Sequence, residues 1–242
     1  DLIKPSLGIA EWILPTILHS GTDAQRERFA WPILRGVQRW CQLFSEPGAG
    51  SDLASLTTRA VKVDGGWLIN GHKIWTSMAD RAHFGALLAR TDPDAPKHRG
   101  ISYFLIDMTS PGLTVEPIKQ ASGHSDFNEV FFNDVRVPAE NLIGEMHEGW
   151  QVANGSLGHE RNMLWLSYAD RLTELIEDFQ PRSALDRDRF ATVVIDNQAL
   201  RLLGSVTLAR AARGVQDVPA LSVLKLFGSE ASQTAAEYAL AC

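Results

Sequence analysis

Several features that mark whole classes of protein are scarce or missing in this sequence. Only two cysteines occur among the 242 residues, Cys41 and Cys242, so a disulfide framework is not indicated and a reducing, cytoplasmic location is expected. No apolar run approaches the roughly 20 residues that a membrane-spanning helix requires. The most apolar stretch, residues 7–18, is interrupted by Glu11 and Pro15, so we predict no membrane span.

Runs of basic residues and metal-binding patterns are also missing. The formal net charge is −6, from 23 basic and 29 acidic side chains, and no run of five basic residues occurs. Nucleic acids and anionic membranes are therefore not expected as partners. The seven histidines do not fall at the spacings that zinc sites use, so we predict no metal site. Apolar residues make up 45% of the chain, which is ample for buried cores.

Both ends of the sequence look abrupt. The first residues lack the charged start, apolar middle and small-residue cleavage site of a signal peptide. The last residues lie inside an alanine-rich helical pattern that has no glycine or proline stop. We therefore expect a chain that is truncated at both ends.

Three patterns follow one another along the chain and together predict an α+β protein. Helical spacing over 7–18 and a capping box of Thr22 and Gln25 predict two helices, the end of an N-terminal helical domain over 1–36. Short β-branched and aromatic runs then predict a central antiparallel β domain over 37–144, similar to a barrel or sandwich. Helical periodicity returns at Gly149 and predicts an incomplete C-terminal antiparallel bundle of three long helices over 145–242.

Glycine pairs punctuate the predicted β domain. Asp64-Gly65-Gly66 and Asn70-Gly71 are each typical of a tight turn, so each predicts a β-hairpin. The predicted strands span residues 40–45, 57–63, 67–70, 73–77, 85–90, 101–107, 113–118, 127–132 and 135–137.

The stretch W-C-Q-L-F-S-E-P-G-A-G-S-D, residues 40–52, is the one around which the other motifs are arranged. A strand breaks at Pro47 and enters a turn in which Gly48 and Gly50 let the backbone approach a phosphate closely. Ser51 adds a hydroxyl donor. The pattern is neither a Rossmann fingerprint nor a P-loop, and by itself it is also compatible with an ordinary glycine-rich turn.

Two further groups of residues suit the binding of a flat ring and proton transfer. Trp75 offers an aromatic face for stacking, and the hydroxyls of Thr76 and Ser77 can donate to a ring edge; the alternative is a tryptophan packed in the core. Glu160 and Arg161, in G-H-E-R on the first long helix, have the chemistry of a general base and an anion holder. The alternative is a solvated, charged helix face.

Taken together, these motifs resemble those of the acyl-CoA dehydrogenase family of flavoproteins, in its bacterial form. The matching segments, in order, are L-F-S-E-P-G-A-G-S-D-L-A-S, D-G-G-W-L-I-N-G-H-K-I-W-T-S, L-L-A-R-T, F-N-E-V-F-F-N-D-V-R-V-P, N-L-I-G-E and G-W-Q-V-A. The resemblance runs from about residue 20 to residue 161 and is looser beyond. It implies FAD as cofactor and oxidation of an acyl-CoA thioester to the trans-2-enoyl-CoA, with a hydride passing to flavin N5 and a carboxylate taking the α-proton.

The resemblance also implies roles for individual residues. One strand lies along the flavin ring, the glycine turn lies beside its ribityl and phosphate part, and the tryptophan segment stacks on the ring and bonds its edge near N5. The residues so implied are Gln42, Phe44, Ser45, Gly50, Ser51, Trp75, Thr76 and Ser77. Substrate contacts are implied for Ser51 and Arg161. Glu160 falls where a minority of relatives carry the base, whereas most carry it in a loop beyond the equivalent of Cys242.

For the whole protein, the resemblance implies lipid or fatty-acid catabolism by β-oxidation, an acceptor similar to electron-transfer flavoprotein, and a homo- or hetero-oligomer, either dimer or tetramer. The helical part lacks the R-x-x-F-G element that in many relatives reaches the FAD of a neighbouring subunit, and has P-R-S-A-L-D-R at 181–187 instead. Two alternatives follow. The chain is a non-catalytic or half-site partner subunit of a heteromeric enzyme, or a flavin oxidase or monooxygenase on the same fold.

Overall fold

The computed structural model describes residues 8–179, 181–215 and 217–241, apart from the side chains of residues 162, 163 and 241. The described residues belong to two compact units, one ending at Ser156 and the other beginning at Leu157. Leu7, the first residue of the first predicted helix, and Cys242, the last residue of the predicted bundle, lie outside the described residues. The predicted division into domains at 1–36, 37–144 and 145–242 stays a prediction.

Two helices open the first unit, α1 (Ala10–Ser20) and α2 (Asp23–Leu34). The predicted capping box is present at the start of α2, where the Thr22 side chain accepts from Gln25 N and the Gln25 side chain accepts from Thr22 N at 2.8 Å. Gln25 Nε2 also donates to the carbonyl of Leu142 at 2.7 Å. The cap therefore both begins the helix and attaches it to the end of the sheet.

Eight strands form one sheet, and the α+β fold class is confirmed. In chain order they are β1 (Trp40–Leu43), β2 (Arg59–Val63), β3 (Gly66–Ser77), β4 (Phe84–Arg90), β5 (Ile101–Asp107), β6 (Leu113–Ile118), β7 (Phe127–Pro138) and β8 (Leu142–Ile143). The spatial order is β6-β7-β3-β2-β4-β5-β8, with β1 paired to β4. In the described part of the chain β6 and β8 are not paired, so the sheet is open and not a closed barrel.

The sequence predicted an antiparallel sheet, but two pairs of strands are parallel. β1 runs parallel to β4 over four residues, and β2 meets β4 in a parallel contact, whereas the other pairs are antiparallel. Fifteen residues separate the end of β1 from the start of β2, enough for a connection that returns the chain in the same direction. After β1 the chain passes beside β3, where Ile74 N donates to the Ser45 carbonyl.

The hairpin predicted at Asn70-Gly71 is wrong, because β3 runs without a break through these residues. A Cβ added to Gly71 would lie 2.4 Å from Thr58 Oγ1, so the glycine permits β3 to approach Thr58, the residue before β2, and does not make a turn. Asn70 instead exchanges hydrogen bonds with Asp134, whose φ is +51°, inside the single strand β7. The other predicted hairpin is correct, since Val63 pairs with Gly66 across Asp64-Gly65.

Three long helices follow the sheet: α3 (Gly149–Asp178), α4 (Ala184–Ala212) and α5 (Val218–Ala241). From Leu157 onward they pack around a core that contains Trp165, Leu200 and Leu224. A Cβ added to Gly204 would lie 2.5 Å from the Trp165 ring, so this glycine lets α4 approach α3 closely. Among the described residues no helix is long and apolar enough to cross a membrane.

Candidate active site

The glycine-rich turn begins where β1 ends. Glu46 N donates to the Ala49 carbonyl at 2.9 Å and Ala49 N donates back to the Glu46 carbonyl at 3.0 Å, which closes the turn. A Cβ added to Gly48 or to Gly50 would meet nothing within 4 Å, and Ser51 is exposed. The turn therefore leaves open space beside its backbone, as a loop that accepts a phosphate requires.

At its other end, β3 contains a bulge that turns Trp75 outward. Pairing with β7 shifts in register between Lys73 and Thr76, and Trp75 has a φ of +60°. Bulky L-residues rarely adopt this conformation, and bulges commonly redirect a side chain. The indole is 58% exposed, with the Phe127 ring edge-on at 6.1 Å. A strained backbone that exposes a large aromatic side chain is typical of a ligand-binding position.

The two hydroxyls after Trp75 have different surroundings. Thr76 is buried, and its Oγ1 has no hydrogen-bond partner among the described residues. The Asn128 side chain holds the Thr76 carbonyl through a 3.1 Å bond from Nδ2. Ser77 is half-buried. The Thr76 hydroxyl is thus enclosed by protein, Ser77 is nearer to solvent, and the predicted bonds of both to a ring edge stay predictions.

The strand residues lie close to the end of β3. Ile74 N donates to the Ser45 carbonyl at 2.9 Å, so the structure brings the glycine-rich stretch and the tryptophan segment together. Phe44 is buried and packs edge-on against Tyr103 at 5.9 Å. Gln42 Oε1 accepts from Trp12 Nε1 at 2.7 Å. Because an indole N–H can only donate, the amide of Gln42 is oriented with its Nε2 left for another partner.

A buried ion pair that the sequence analysis did not single out lies between the two motifs. Lys73 Nζ donates to Glu46 Oε1 at 2.8 Å and to the Phe44 carbonyl at 2.9 Å, and the side chains of Lys73 and Glu46 are 0% and 4% exposed. Glu46 also accepts from N and Oγ1 of Thr57 and from N of Thr58, at 2.7 to 2.9 Å. The available signal was one acidic residue shortly after β1 and one basic residue inside β3.

Electrostatics keep both members of this pair charged at neutral pH. Burial raises the pKa of Glu46, but the Lys73 ammonium and the hydrogen bonds from Thr58 and Thr57 outweigh burial and lower it to about 2. Burial lowers the pKa of Lys73 to about 8, against the opposing effect of the Glu46 carboxylate. Glu46 is therefore a fixed acceptor of hydrogen bonds and not a proton acceptor.

A cavity with basic residues opens beside the segment that follows the turn. Its lining residues are Ala54, Ser55, Leu56, Thr57, Arg59, Arg90, Pro93, Ala95 and Lys97. Arg90 bonds the main chain, with Nη2 donating to the Ala54 carbonyl at 2.6 Å. The Lys97 ammonium pairs with Asp52, and together with Ser55 it lowers the pKa of that carboxyl. The surroundings of the turn are thus positively charged in part.

Glu160 and Arg161 lie on α3 in the second unit, and both are partly buried. Burial raises the pKa of Glu160, against the opposing charges of Arg161 and Lys225. Arg161 Nε is buried without a hydrogen-bond partner among the described residues. A carboxylate whose pKa is raised towards neutrality suits a general base, and an unpaired guanidinium N–H suits an anionic ligand.

No group of three or more His, Cys, Asp or Glu side chains in the described part of the chain could hold a metal ion. Cys41 is a free, buried thiol.

Comparison with known proteins identifies the family. The chain matches the acyl-CoA dehydrogenase middle domain over residues 41–135 and the C-terminal domain of the same family over residues 147–242. It is 47% identical over 241 residues to acyl-CoA dehydrogenase FadE34 of Mycobacterium tuberculosis, a match that covers 97% of this chain and 34% of that protein. The chain belongs to the acyl-CoA dehydrogenase family.

Solved structures of the family have the same fold. The Tcur3481-Tcur3483 steroid ACAD is 29% identical with a TM-score of 0.81, over 94% of this chain and 61% of that chain. An acyl-CoA dehydrogenase from Geobacillus kaustophilus is 28% identical with a TM-score of 0.84, over 93% of this chain and 64% of that chain. The chain spans about a third of the length of FadE34 and less than two thirds of these two structures.

Proposed function

We propose that the chain is part of a flavoenzyme that binds FAD and oxidises an acyl-CoA thioester to the trans-2-enoyl-CoA. The observation that carries the proposal is the exposed Trp75 indole on a strained bulge, joined to the glycine-rich stretch by the bond between Ile74 and Ser45. Around it, the open turn at Gly48 and Gly50 has room for phosphates. The residues present therefore fit a flat ring with a phosphate tail.

Each group of residues has a definite task in this proposal. FAD, when bound, supplies the hydride acceptor at its N5. Trp75 covers a face of the ring and keeps water away, Ser51 donates to the phosphate side or to the thioester, and Gln42 offers its free amide end. The described chain thus contributes binding and orientation, and the cofactor contributes the oxidising chemistry.

For proton removal, we propose Glu160 as the base and Arg161 as the residue that holds an anionic part of the substrate. Burial raises the pKa of Glu160, so it ionises at a higher pH than an exposed glutamate and holds a captured proton more strongly. The competing hypothesis places the base in a C-terminal loop of the kind most relatives use. The two differ in whether Glu160 is needed for turnover.

The test uses the full-length protein. We expect a yellow protein whose visible flavin absorbance is lost when the correct acyl-CoA is added without oxygen. A straight-chain acyl-CoA and a steroid side-chain acyl-CoA are the first two substrates to compare, because a relative at 29% identity is named a steroid ACAD. A folded full-length protein that takes up no FAD would contradict the proposal. Rapid reoxidation by oxygen would favour an oxidase or monooxygenase.

A second proposed function is that of a half-site subunit in a heteromeric enzyme. Residues 181–187 read P-R-S-A-L-D-R where many relatives have R-x-x-F-G, and the name Tcur3481-Tcur3483 steroid ACAD joins two designations. A half-site subunit of a heteromeric enzyme would explain both. Its mark is flavin binding and turnover that appear only after mixing with a second, related chain, whereas turnover by this protein alone would exclude it.

The cellular setting is proposed on the same basis. We propose β-oxidation of lipids in the cytoplasm, with electrons leaving to an acceptor similar to electron-transfer flavoprotein. The oligomer expected is a dimer or tetramer of like or unlike chains. Size-exclusion chromatography with light scattering, with and without the second chain, would distinguish these assemblies.

A further inference from the structure

The Glu46–Lys73 ion pair connects the two parts of the proposed flavin site. Glu46 is the first residue of the glycine-rich turn, and Lys73 lies two positions before Trp75 on β3. The Lys73 ammonium bonds both the Glu46 carboxylate and the Phe44 carbonyl, so a single side chain reaches from one motif to the other. Neither charge is accessible to a ligand, because the two side chains are 0% and 4% exposed.

The far side of the carboxylate is bound to the sheet. Thr57 and Thr58 donate to Glu46, and the Thr58 carbonyl in turn accepts from Arg90 N at 2.7 Å. Thr58 also lies against Gly71, where no Cβ would fit. Glu46 therefore holds a segment that is itself fixed to two strands.

The turn has few other attachments. Pro47, Gly48, Gly50 and Ser51 are exposed, two main-chain bonds between Glu46 and Ala49 close the turn on itself, and Ala49 is the one residue of 47–51 that is buried. Besides the packing of Ala49, the polar contacts that fix the turn relative to β3 are those of the Glu46 side chain and the neighbouring Ile74–Ser45 bond.

Stability alone does not account for a buried pair of this kind. Removing an ion from water costs several kcal/mol, and the attraction inside the protein often only offsets that cost, so that well-packed apolar residues of similar volume stabilise a fold as well. An ion pair differs from apolar packing in that each hydrogen bond has a fixed length and direction. Here those bonds set the distances from Lys73 to Phe44 and Glu46, and from Glu46 to residues 57–58.

We propose that Lys73 and Glu46 are positioning residues for the cofactor, which hold the Phe44 carbonyl and the glycine turn at a fixed distance from the Trp75 bulge. This inference rests on the proposed function, since the ring that is positioned is the proposed FAD. It assigns a role to two charged residues that neither contact the ring nor transfer a proton.

The test compares two double variants of the full-length protein. Glu46→Gln with Lys73→Met removes both buried charges and nearly preserves side-chain volume. Asp23→Asn with Arg26→Gln removes an exposed pair on α2, 2.8 Å apart, and serves as the matched control. The measurements are the FAD dissociation constant, the visible circular dichroism of bound flavin, and the melting temperature of the FAD-free protein.

We expect the buried double variant to stay folded, to bind FAD about tenfold more weakly and to change the flavin circular dichroism, because small displacements of positioning groups have large effects on bound geometry. The control should match the wild type in all three measurements. A folded buried double variant with wild-type FAD affinity and flavin spectrum would overturn the inference and leave the pair a role in stability alone.

Two further results are informative. If the double variant does not fold, Lys73→Arg replaces it, since this change keeps a paired buried charge but alters the length and direction of the bonds to Glu46 and to the Phe44 carbonyl. Weaker FAD binding and an altered flavin spectrum are again expected, and unchanged values would again overturn the inference. A folded wild-type protein that binds no FAD would instead refute the proposed function. The measurement on the wild type therefore distinguishes failure of the proposed function from failure of the positioning inference.

Discussion

Glu46 in the first unit and Glu160 in the second have pKa values that are displaced in opposite directions. Both carboxyls lose water on burial, which by itself raises the pKa of a carboxyl. At Glu46, a directly bonded ammonium and three hydrogen bonds from Thr57 and Thr58 replace the water, and the pKa is lowered to about 2. At Glu160, the charges of Arg161 and Lys225 do not compensate for burial, and the pKa is raised.

The comparison shows that burial alone does not decide what a carboxylate can do. A carboxylate whose oxygens are all engaged, as in Glu46, gains nothing from a proton and serves as an anchor. A carboxylate that has lost water without full compensation, as in Glu160, takes a proton readily.

The largest effect is expected for a substitution of Glu160, and it tests whether the raised pKa of this carboxyl belongs to a catalytic base. Glu160→Gln should lower turnover of the acyl-CoA by roughly 100-fold or more, because general bases contribute about 10²- to 10⁴-fold, while FAD stays bound. Because the pKa of Glu160 is raised in the folded protein, its ionised form destabilises the folded state at pH values above that pKa. Glu160→Gln, which has no charge, should therefore have a slightly higher melting temperature at pH 7. Stopped-flow reduction of the flavin and thermal unfolding are the measurements.

Glu177→Gln is the matched control, because Glu177 is an exposed glutamate on the same helix. It should leave both flavin reduction and stability unchanged. Flavin reduction by Glu160→Gln at the wild-type rate would show that the base lies elsewhere, and the contrast between the two glutamates would then have no catalytic meaning.

A smaller effect is expected at Glu46, where the lowered pKa should make the stability of the protein depend on acidic pH. The Glu46 pKa is about 2 in the folded protein and about 4.3 in an unfolded chain, so its stabilising contribution is complete above about pH 5 and is lost as the pH falls through about 2. The loss amounts to roughly 3 kcal/mol of unfolding free energy. Urea unfolding at a series of acidic pH values should show a shallower decline in Glu46→Gln than in the wild type. Parallel declines would mean that Glu46 is not held as the structure shows.

Local patterns predicted those elements of the fold whose causes are local. The strands at 101–107 and 113–118 and the capping box of Thr22 and Gln25 were predicted and are present. Asn70-Gly71 was misread because the glycine is required by contact with Thr58, a residue distant in sequence. The parallel pairing of β1 with β4 is likewise a contact between segments more than 40 residues apart, about which local spacing carries no information.

The same limit applies to the candidate site. The glycine-rich stretch and the tryptophan segment were located from the sequence, and the structure places them side by side. The ion pair between them was missed because Glu46 and Lys73 are 27 positions apart, and each looks like an ordinary surface charge when its own segment is considered alone. Burial and pairing, which convert these charges into anchors, exist only in the folded chain.

The smallest expected effect concerns the strain at Trp75 in the first unit. Trp75→Ala and Trp75→Gly should weaken FAD binding equally, by roughly two- to tenfold, since both remove an aromatic contact worth about 0.5–1.5 kcal/mol. The two variants should differ in stability, because glycine adopts a φ of +60° without the cost of about 1 kcal/mol or more that alanine carries. FAD titration and urea unfolding measure the two effects, with Trp31→Ala, an exposed tryptophan on α2, as control. Equal stability of the two variants would show that the bulge relaxes once the indole is gone, and FAD affinity equal to that of the wild type would remove the stacking role.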